Sequence, residues 1–460
     1  MKLRYYIALL LAKMSVIALK ITKHNGTNFP GAVAVKICPQ FLQYADKPKR
    51  IIGVTGTNGK TTSTNLICDV LEQAGLKVLS NRAGSNLNSG ISTSLINGMN
   101  IFGKQKYETA VFEMDERSAL KLYPYLKPDY LIVTNLARDS IGRNAHPEYI
   151  FNFLNNALKI VEDKTTLILN SDDPVSSNLG KGNKRIFMGM ADCNANPFVN
   201  SSPDVSYCPD CGGKIRYNYR FYRSIGNFYC EDCSYSTPEA KYFAEDVDLK
   251  GGKFTVKEGD SRTEFPLLSN TVFNALNELA LIGLLRELGF ENEKIFDLLS
   301  NVKITDTRRE SAVEYNGVQY CVYAAKGQLA SSSSTIFEFM AKEESVKDLV
   351  LCMDEETSGT HPDETLTWMY EADYEFLNRD NIHKIIVCGH MCKNTKLRLL
   401  LAGIPEDKIV TVFNEHDAKY HVSREGIEKV YVLNEVDSVR RGFKVRDEIV
   451  EYFKGLDRNE

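Results

Sequence analysis

Neither a long apolar run nor an excess of one charge marks this 460-residue chain, and its cysteines do not form the framework of a secreted domain. Lys and Arg number 56 against 60 Asp and Glu, and the net charge of −4 gives no general pull toward nucleic acid or anionic lipid. The N-terminal run Tyr5–Ala12 falls short of the roughly 18 apolar residues a membrane-spanning helix needs. It follows Lys2 and Arg4 as a signal peptide would, but Lys13 interrupts it and no small-residue cleavage site precedes the next segment. Two roles stay open for this helix: docking on the protein itself, or peripheral contact with a membrane surface or lipid-linked substrate. Of 11 cysteines, four fall in two C-x-x-C pairs; the rest are scattered at Cys38, Cys68, Cys193, Cys321, Cys352, Cys388 and Cys392. An odd scattered set argues for a reducing, cytoplasmic compartment, with the inner face of the cell membrane left open by the N-terminal helix.

The composition, 43% hydrophobic and 25% charged, is that of a globular protein, and the length allows roughly two or three domains. The most informative stretch is Ile51-Ile52-Gly53-Val54-Thr55-Gly56-Thr57-Asn58-Gly59-Lys60-Thr61-Thr62. It predicts a strand, a glycine-rich turn and a helix running through Leu66, Ile67, Val70 and Leu71. Glycines let backbone N–H groups close around phosphate oxygens at the positive end of a helix. Lys60 supplies a charge for the β- and γ-phosphates, and the Thr61 hydroxyl is placed to ligate Mg²⁺. The strict G-x-x-x-x-G-K-[ST] pattern wants glycine where Val54 stands, so T-G-T-N-G-K-T-T is a narrower variant. The bland alternative is a βα turn with an incidental lysine.

Residues 1–48 are expected to form a helical leader, with one helix to about Lys20 and a second over Ala32–Tyr44. From Arg50 the pattern alternates strands and helices, as a parallel α/β sheet does, with strands at Ile51–Thr55, Lys77–Ser80, Thr109–Met114, Tyr130–Thr134 and Thr166–Asn170. Ligands in such sheets sit beyond the C-terminal strand ends. Glu113, Asp115 and Glu116 stand at one such end, Thr134, Asn135, Arg138 and Asp139 at another, and Asn170-Ser171-Asp172-Asp173-Pro174 at a third. Each alone is more often a cap or a solvated turn. Together with the phosphate loop they favour an ATP–Mg²⁺ site, with a carboxylate facing the loop.

Cys208-Pro-Asp-Cys211 and Cys230-Glu-Asp-Cys233 lie within an insert of about 205–236. Four thiolates at this spacing can close a tetrahedral zinc site with no open position, hence a structural one. Arg216, Arg220 and Arg223 among Tyr217, Tyr219, Phe221 and Tyr222 raise nucleic-acid binding as the rival. Their alternation fits the strands of a hairpin, so no nucleic-acid partner is expected. Residues 241–268 look like hairpin material, followed by a helix from Asn270 to Leu288. Asn270 and Asn274 are one turn apart and can read the edge of an adenine ring, or serve as caps. After Lys303–Arg309 a second α/β domain, 306–460, is expected, with strands Tyr320–Ala324, Asp348–Met353, Lys384–Cys388, Ile409–Phe413 and Lys429–Leu433 and a last helix Val439–Phe453.

TGTNGKTT after a strand, with an acidic strand end beyond it, resembles the central domain (here 49–305) of the Mur ligase family. Further matches resemble its lipid II-amidating, MurT-type branch across essentially the whole chain. They are Phe29-Pro30-Gly31, E-M-D-E at Glu113–Glu116, T-N-L-A-R-D at Thr134–Asp139, N-S-D-D-P at Asn170–Pro174, the four-cysteine ribbon and T-x-T-R-R-E. A leader of 48 residues is too short for the UDP-binding domain of other Mur ligases. The resemblance implies ATP-dependent activation of the α-carboxylate of D-glutamate in lipid II as an acyl phosphate, with ammonia from a partner class I glutaminase of the GatD type. It implies that Gly56, Thr57, Asn58, Gly59, Lys60, Thr61 and Thr62 cradle the phosphates and that Thr61 and Glu113 hold Mg²⁺. It further implies that Asn274, with Asn270 and Asp173, borders the adenine, that Arg308 reaches the phosphates, and that Asp354, or else Asp363, completes the partner's Cys–His pair. Lys60, Glu113 and Asp354 would be the catalytic set, and Cys208, Cys211, Cys230 and Cys233 the zinc ligands. The chain departs from the branch at Gly142, where a second acid is usual, over Ala325–Ser331 and between Met353 and Asp363. A Mur-like ligase using another amine and a non-catalytic ATP-binding scaffold are the alternatives.

Overall fold

A computed structural model describes residues 2–458 except 25, 83–84, 140–145, 196–197, 200–202, 270, 303–309, 326–328, 354–366 and 436–438. They form two compact units, one of residues up to 304 and one from 305 onward, the second also taking in short excursions that include Arg138 and Phe198.

The first unit opens with three helices, α1 (Lys2–Ile21), α2 (Phe29–Ile37) and α3 (Phe41–Tyr44). The single stretch expected over Ala32–Tyr44 is two helices because Pro39 disfavours helical backbone at Cys38, which sits at φ −128° and ψ 91°. Phe29-Pro30-Gly31 starts α2 with proline in the first turn, where its missing N–H costs nothing. At Gly31 the helix crosses so near its neighbour that a Cβ would lie 1.8 Å from the Ser89 carbonyl oxygen.

Strands β1 (Arg50–Thr55), β2 (Val78–Ser80), β3 (Thr109–Glu113), β4 (Tyr130–Val133), β5 (Thr166–Asn170) and β6 (Lys184–Met190) pair in parallel in the order β6-β5-β4-β1-β3-β2. The central strand β1 is buried from Ile51 to Thr55, and its side chains alternate between two cores, as strand geometry requires. Ile51 joins a core with α1 to α3 and helices α5 (Asn88–Gly98), α6 (Ala119–Leu126) and α7 (Pro147–Leu158). Ile52 and Val54 join the other, with α4 (Lys60–Gln73), α8 (Val272–Glu287) and α9 (Asn292–Asn301). Helix α8 is buried without a break from Ala275 to Leu285, the mark of a helix enclosed on all sides.

Two strands leave this sheet and form a separate ribbon, β7 (Ile215–Tyr222) with β8 (Ile225–Cys230). The hairpin material beyond it is not a separate body. It adds β9 (Tyr242–Asp248), β10 (Lys253–Glu258) and β11 (Ser261–Pro266) to the same sheet, β9 pairing parallel with β6 and the last two antiparallel. The sheet is therefore mixed at one edge and parallel at its centre, where the turn between β1 and α4 lies.

The second unit carries a six-stranded sheet in the order β12-β13-β17-β14-β15-β16. Its strands are β12 (Glu310–Tyr315), β13 (Val318–Ala325), β14 (Lys347–Cys352), β15 (Ile382–Cys388), β16 (Ile409–Val412) and β17 (Lys429–Glu435). All pairings are parallel except β12 with β13. Helices α10 (Ala330–Lys342), α11 (Thr367–Glu371), α12 (Cys392–Leu401) and α13 (Val439–Asp457) complete it. The five strands expected here are all present; β12 is the addition.

Candidate nucleotide site and four-cysteine ribbon

The turn between β1 and α4 is shaped by two glycines in the positive-φ region, Gly56 at +129° and Gly59 at +85°. A Cβ on Gly56 would lie 2.3 Å from Thr134 Oγ1, and one on Gly59 2.9 Å from Asn277 Oδ1. Val54 replaces the first glycine of the longer motif because the strand runs on to Thr55, with Val54 fully buried and paired to Glu113 and Ile132. The turn is held from the end of β4. Thr57 N–H donates to the Asn135 carbonyl at 2.8 Å, Asn58 N–H to Asn135 Oδ1 at 3.2 Å, and Thr134 Oγ1 to the Asn58 carbonyl at 2.6 Å. The first-turn amides of α4, from Lys60 to Thr62, have no acceptor within their own helix and carry its positive dipole end.

Lys60 Nζ lies 2.8 Å from Glu116 Oε1, and the two side chains are 14% and 3% exposed. The same carboxylate oxygen accepts the Gly56 N–H at 3.1 Å. One face of the turn thus already holds an anion between a backbone amide and an ammonium group. On the other side, Thr61 Oγ1 donates to Glu113 Oε2 at 2.8 Å, while Glu113 Oε1 accepts from Asn86 Nδ2 at 3.1 Å. Asn81 fixes the Glu113 backbone, accepting its N–H and donating to its carbonyl, both at 2.9 Å. Asp115, between the two glutamates, is occupied as a cap, accepting the Arg117 N–H at 3.1 Å. The structure therefore brings Thr61 and Glu113 together, and it separates Glu116 from the trio of acids that the sequence offered without distinction.

Helix α8 passes beside the turn. Asn274 Nδ2 donates to Ser269 Oγ at 3.0 Å, and the buried amide of Asn277, one turn on, faces Gly59. Asn277 carried no distinguishing signal in a helix already rich in asparagine. Asn270, Arg308, Asp354 and Asp363 lie outside the described residues.

The Asn170–Pro174 turn does not line an open face as its sequence position suggested. Asp173 is 1% exposed, and its oxygens accept the Leu136 N–H at 2.6 Å and the Val175 N–H at 3.0 Å. It acts on the site at one remove, fixing the Asn135–Ala137 segment that grips Thr57 and Asn58. Burial pushes its carboxyl up to about 6 and that of Asp172 up to about 7.

The four cysteines converge. The Sγ atoms of Cys208, Cys211, Cys230 and Cys233 all lie within 4.8 Å of one another, with Cys208–Cys233 at 3.8 Å and Cys211–Cys230 at 3.5 Å. Tetrahedral zinc with bonds of about 2.3 Å requires sulfur separations of about 3.8 Å, so this set fits the ion. Backbone N–H groups of Gly213, Asp232 and Tyr235 donate to three of the sulfurs at 3.3, 3.4 and 3.5 Å, which favours thiolates. The ribbon's basic residues have local partners: Arg223 is bidentate to Asp204 at 2.7 Å, Arg216 pairs with Glu231 at 2.9 Å, and Arg220 lies over Tyr217. Tyr235 ties the ribbon to the main body, its hydroxyl 2.7 Å from the Pro174 carbonyl and 2.8 Å from Ser177 Oγ.

A phosphate-type turn at the C-terminal end of a central parallel strand, with a hydroxyl and a carboxylate meeting beside it, defines a nucleotide-dependent enzyme. Family profiles specify which kind: the Mur ligase middle domain matches residues 54–200 and the MurT ligase C-terminal domain residues 331–436, together more than half of the chain. The chain belongs to the Mur ligase family and is an ATP-dependent amide-forming ligase. It is 29% identical over 411 residues to the MurT subunit of lipid II isoglutaminyl synthase (glutamine-hydrolyzing) from Staphylococcus aureus strain COL, covering 89% of this chain and 90% of that one. It is 25% identical over 413 residues to the MurT subunit of Streptococcus pneumoniae strain ATCC BAA-255 / R6, with the same coverage. Among solved structures, a pseudomurein peptide ligase type C from Methanothermus fervidus superposes with a TM-score of 0.68 at 17% identity, covering 89% of this chain and 81% of that one. The MurF ligase of Thermotoga maritima in complex with ADP gives 0.57 at 16%, covering 94% and 85%.

Proposed function

We propose that this chain amidates the α-carboxylate of D-glutamate in the lipid II stem peptide through an acyl phosphate, using ammonia released by a GatD-type class I glutaminase bound to it. The observation that carries this is the meeting of Thr61 with Glu113 beside the phosphate turn, in a chain similar to MurT subunits over nine-tenths of its length. The carboxylate oxygen attacks the γ-phosphorus of ATP and ADP departs; ammonia then attacks the acyl carbon, phosphate departs, and a proton passes to solvent. Mg²⁺ supplies charge neutralisation when bound, and Thr61 and Glu113 would hold it. The amides from Gly56 to Thr62 bind the β- and γ-phosphates, and Lys60 balances charge on the transferring group. Asn274, with Asn270, would border the adenine and Arg308 would reach the phosphates. Asp354 would complete the partner's Cys–His pair, and the four cysteines would hold a structural zinc ion. Because the acceptor is lipid-linked, the work is done at the cytoplasmic face of the membrane.

Supplied with ATP, Mg²⁺ and lipid II, the purified chain should release ADP when given ammonium and use glutamine only after its glutaminase is added. Glutamine use by the chain alone would contradict the proposal. ADP release with an amino acid in place of ammonium, in a screen of amines, would instead make it a ligase of the ordinary Mur kind. Co-purification from the host should yield a class I glutaminase bound to the chain.

A further inference from the structure

Helix α1 docks on the first unit through Tyr5, Ala8, Leu9 and Ala12, all buried. Lys13 reinforces the attachment by donating to the Ile96 and Met99 carbonyls at 3.0 and 2.8 Å. The opposite side of the helix is apolar and uncovered. Leu3, Tyr6, Leu10, Met14, Ile17 and Ile21 are each more than half exposed, Leu3 at 74% and Ile21 at 76%. Their spacing of three and four residues, at about 100° per residue, places all six within an arc about 80° wide along the whole helix.

A second exposed apolar element stands beside α1. The loop after Met99 packs against α1 at Gly103, where a Cβ would lie 3.0 Å from Leu9 Cδ2. It exposes Ile101 and Phe102, both at least 75% open, with exposed Lys104 and Lys106 just beyond. An exposed apolar strip of this length marks a binding face. The charge of the N-terminal segment is of one sign. The first 45 residues carry Lys2, Arg4, Lys13, Lys20, Lys23 and Lys36 and no Asp or Glu. Lys20 lies on one border of the apolar arc and Arg4 toward the other. The first acids along the chain on either side have partners: Asp46 accepts the Gln105 N–H at 3.0 Å, and Glu108, after the loop, pairs with Lys49 at 2.8 Å.

No helix among the described residues is long and apolar enough to cross a membrane. We infer that α1, with the Ile101–Phe102 loop, lies in the plane of an anionic bilayer surface, its apolar arc in the acyl boundary and its basic borders among the lipid phosphates. The geometry is that of an interfacial helix whose polar side is replaced by the body of the protein. A second copy of this chain is a poorer occupant, because a twofold contact would set the two basic borders against each other. The inference does not depend on the chemistry proposed above, since a chain with no activity would bind lipid as well.

Vesicle flotation with the full chain tests it. The chain should float with vesicles of phosphatidylglycerol and phosphatidylcholine and bind phosphatidylcholine vesicles at least about tenfold more weakly, with binding to the anionic vesicles falling as salt rises. The double variant Leu10→Glu with Ile17→Glu should lose at least about tenfold, and Phe102→Glu several-fold, while melting temperature and ADP affinity stay at the parent values. Absence of flotation with anionic vesicles, or flotation by the double variant equal to the parent's, overturns the inference. So does a lipid-free dimer in light scattering that the double variant converts to monomer, which would make this face a contact between copies.

Discussion

Lys60 and Glu116 form a buried ion pair, Nζ to Oε1 at 2.8 Å, and the Gly56 N–H donates to that same oxygen at 3.1 Å. The carboxylate therefore engages the donors proposed above to receive phosphate, and it holds the lysine in the turn. Replacing Glu116 by Gln keeps the shape and removes the competing charge. ADP should bind roughly fivefold more tightly, about 1 kcal/mol for one charge interaction in a partly solvated site, as read by calorimetry. Turnover should fall at the same time, because Lys60 loses the partner that orients it. Weaker ADP binding together with normal turnover would show that the carboxylate does not compete with phosphate.

Lys60→Ala should leave the fold intact and cut ADP release by about 100-fold, the usual scale for removing one preorganised charge from a transferring group. Circular dichroism and a coupled ADP assay check the two halves of this statement.

Thr61 and Glu113 meet at 2.8 Å, and Asn81 and Asn86 hold the glutamate from the far side. Glu113→Gln should therefore raise the Mg²⁺ concentration for half-maximal turnover by about tenfold or more with little loss of ADP affinity in metal-free buffer. Thr61→Ser, which keeps the hydroxyl, should stay near the parent value while Thr61→Ala follows Glu113→Gln. Equal Mg²⁺ dependence across all four proteins would remove the pair from the metal site.

Glu278 sits in α8, 1% exposed, and its Oε2 accepts the Leu268 N–H at 3.0 Å. Burial pushes its carboxyl from 4.5 up to about 8. The folded chain therefore keeps a proton that the unfolded chain releases. This contribution to stability is fully present below 4.5 and is lost as pH rises to about 8, at about 1.4 kcal/mol per unit. Glu278→Gln mimics the protonated form. Its melting temperature should match the parent near the acid end of that window and exceed it increasingly up to about pH 8, then by a constant margin. A difference independent of pH would contradict the assignment.

The cysteine ribbon reaches the nucleotide turn through a short relay: Tyr235 to Pro174, Asp173 to Leu136, and Asn135 to Asn58. Fresh protein should contain one zinc ion per chain. Tyr235→Phe, which breaks only the hydroxyl's contacts, should weaken ADP binding several-fold at unchanged zinc content, whereas chelation should weaken it further and lower the melting temperature. Zinc well below one per chain would exclude the metal, and unaltered ADP affinity in both cases would exclude the relay.

Much of this fold was legible because its strands are short apolar runs between polar turns. Thr166–Asn170 is a strand at the bounds its sequence suggested, and the two C-x-x-C pairs are the cluster their spacing implied. The phosphate turn was equally plain, since glycines and Lys60 signal locally. What escaped was non-local. Nothing in E-M-D-E distinguishes Glu116, whose carboxylate turns to Lys60, from Asp115, which caps its own turn. Asp173 resembled a ligand residue because burial leaves no mark on an isolated aspartate. Strand β6 was missed because both of its faces are partly enclosed and Gly189 breaks its alternation. The apolar arc of α1 has the same residue types as a buried face, and only the packing of Tyr5, Ala8 and Leu9 shows which side is covered.

The most direct test of the central claim is mass spectrometry of lipid II after incubation with the chain, ATP, Mg²⁺ and ammonium. Conversion of one carboxyl to a carboxamide on the D-glutamate, matched one for one by ADP and abolished by Lys60→Ala, is the predicted result. ADP release with no change in lipid II, or an amino acid joined to the acceptor in place of ammonia, would contradict it.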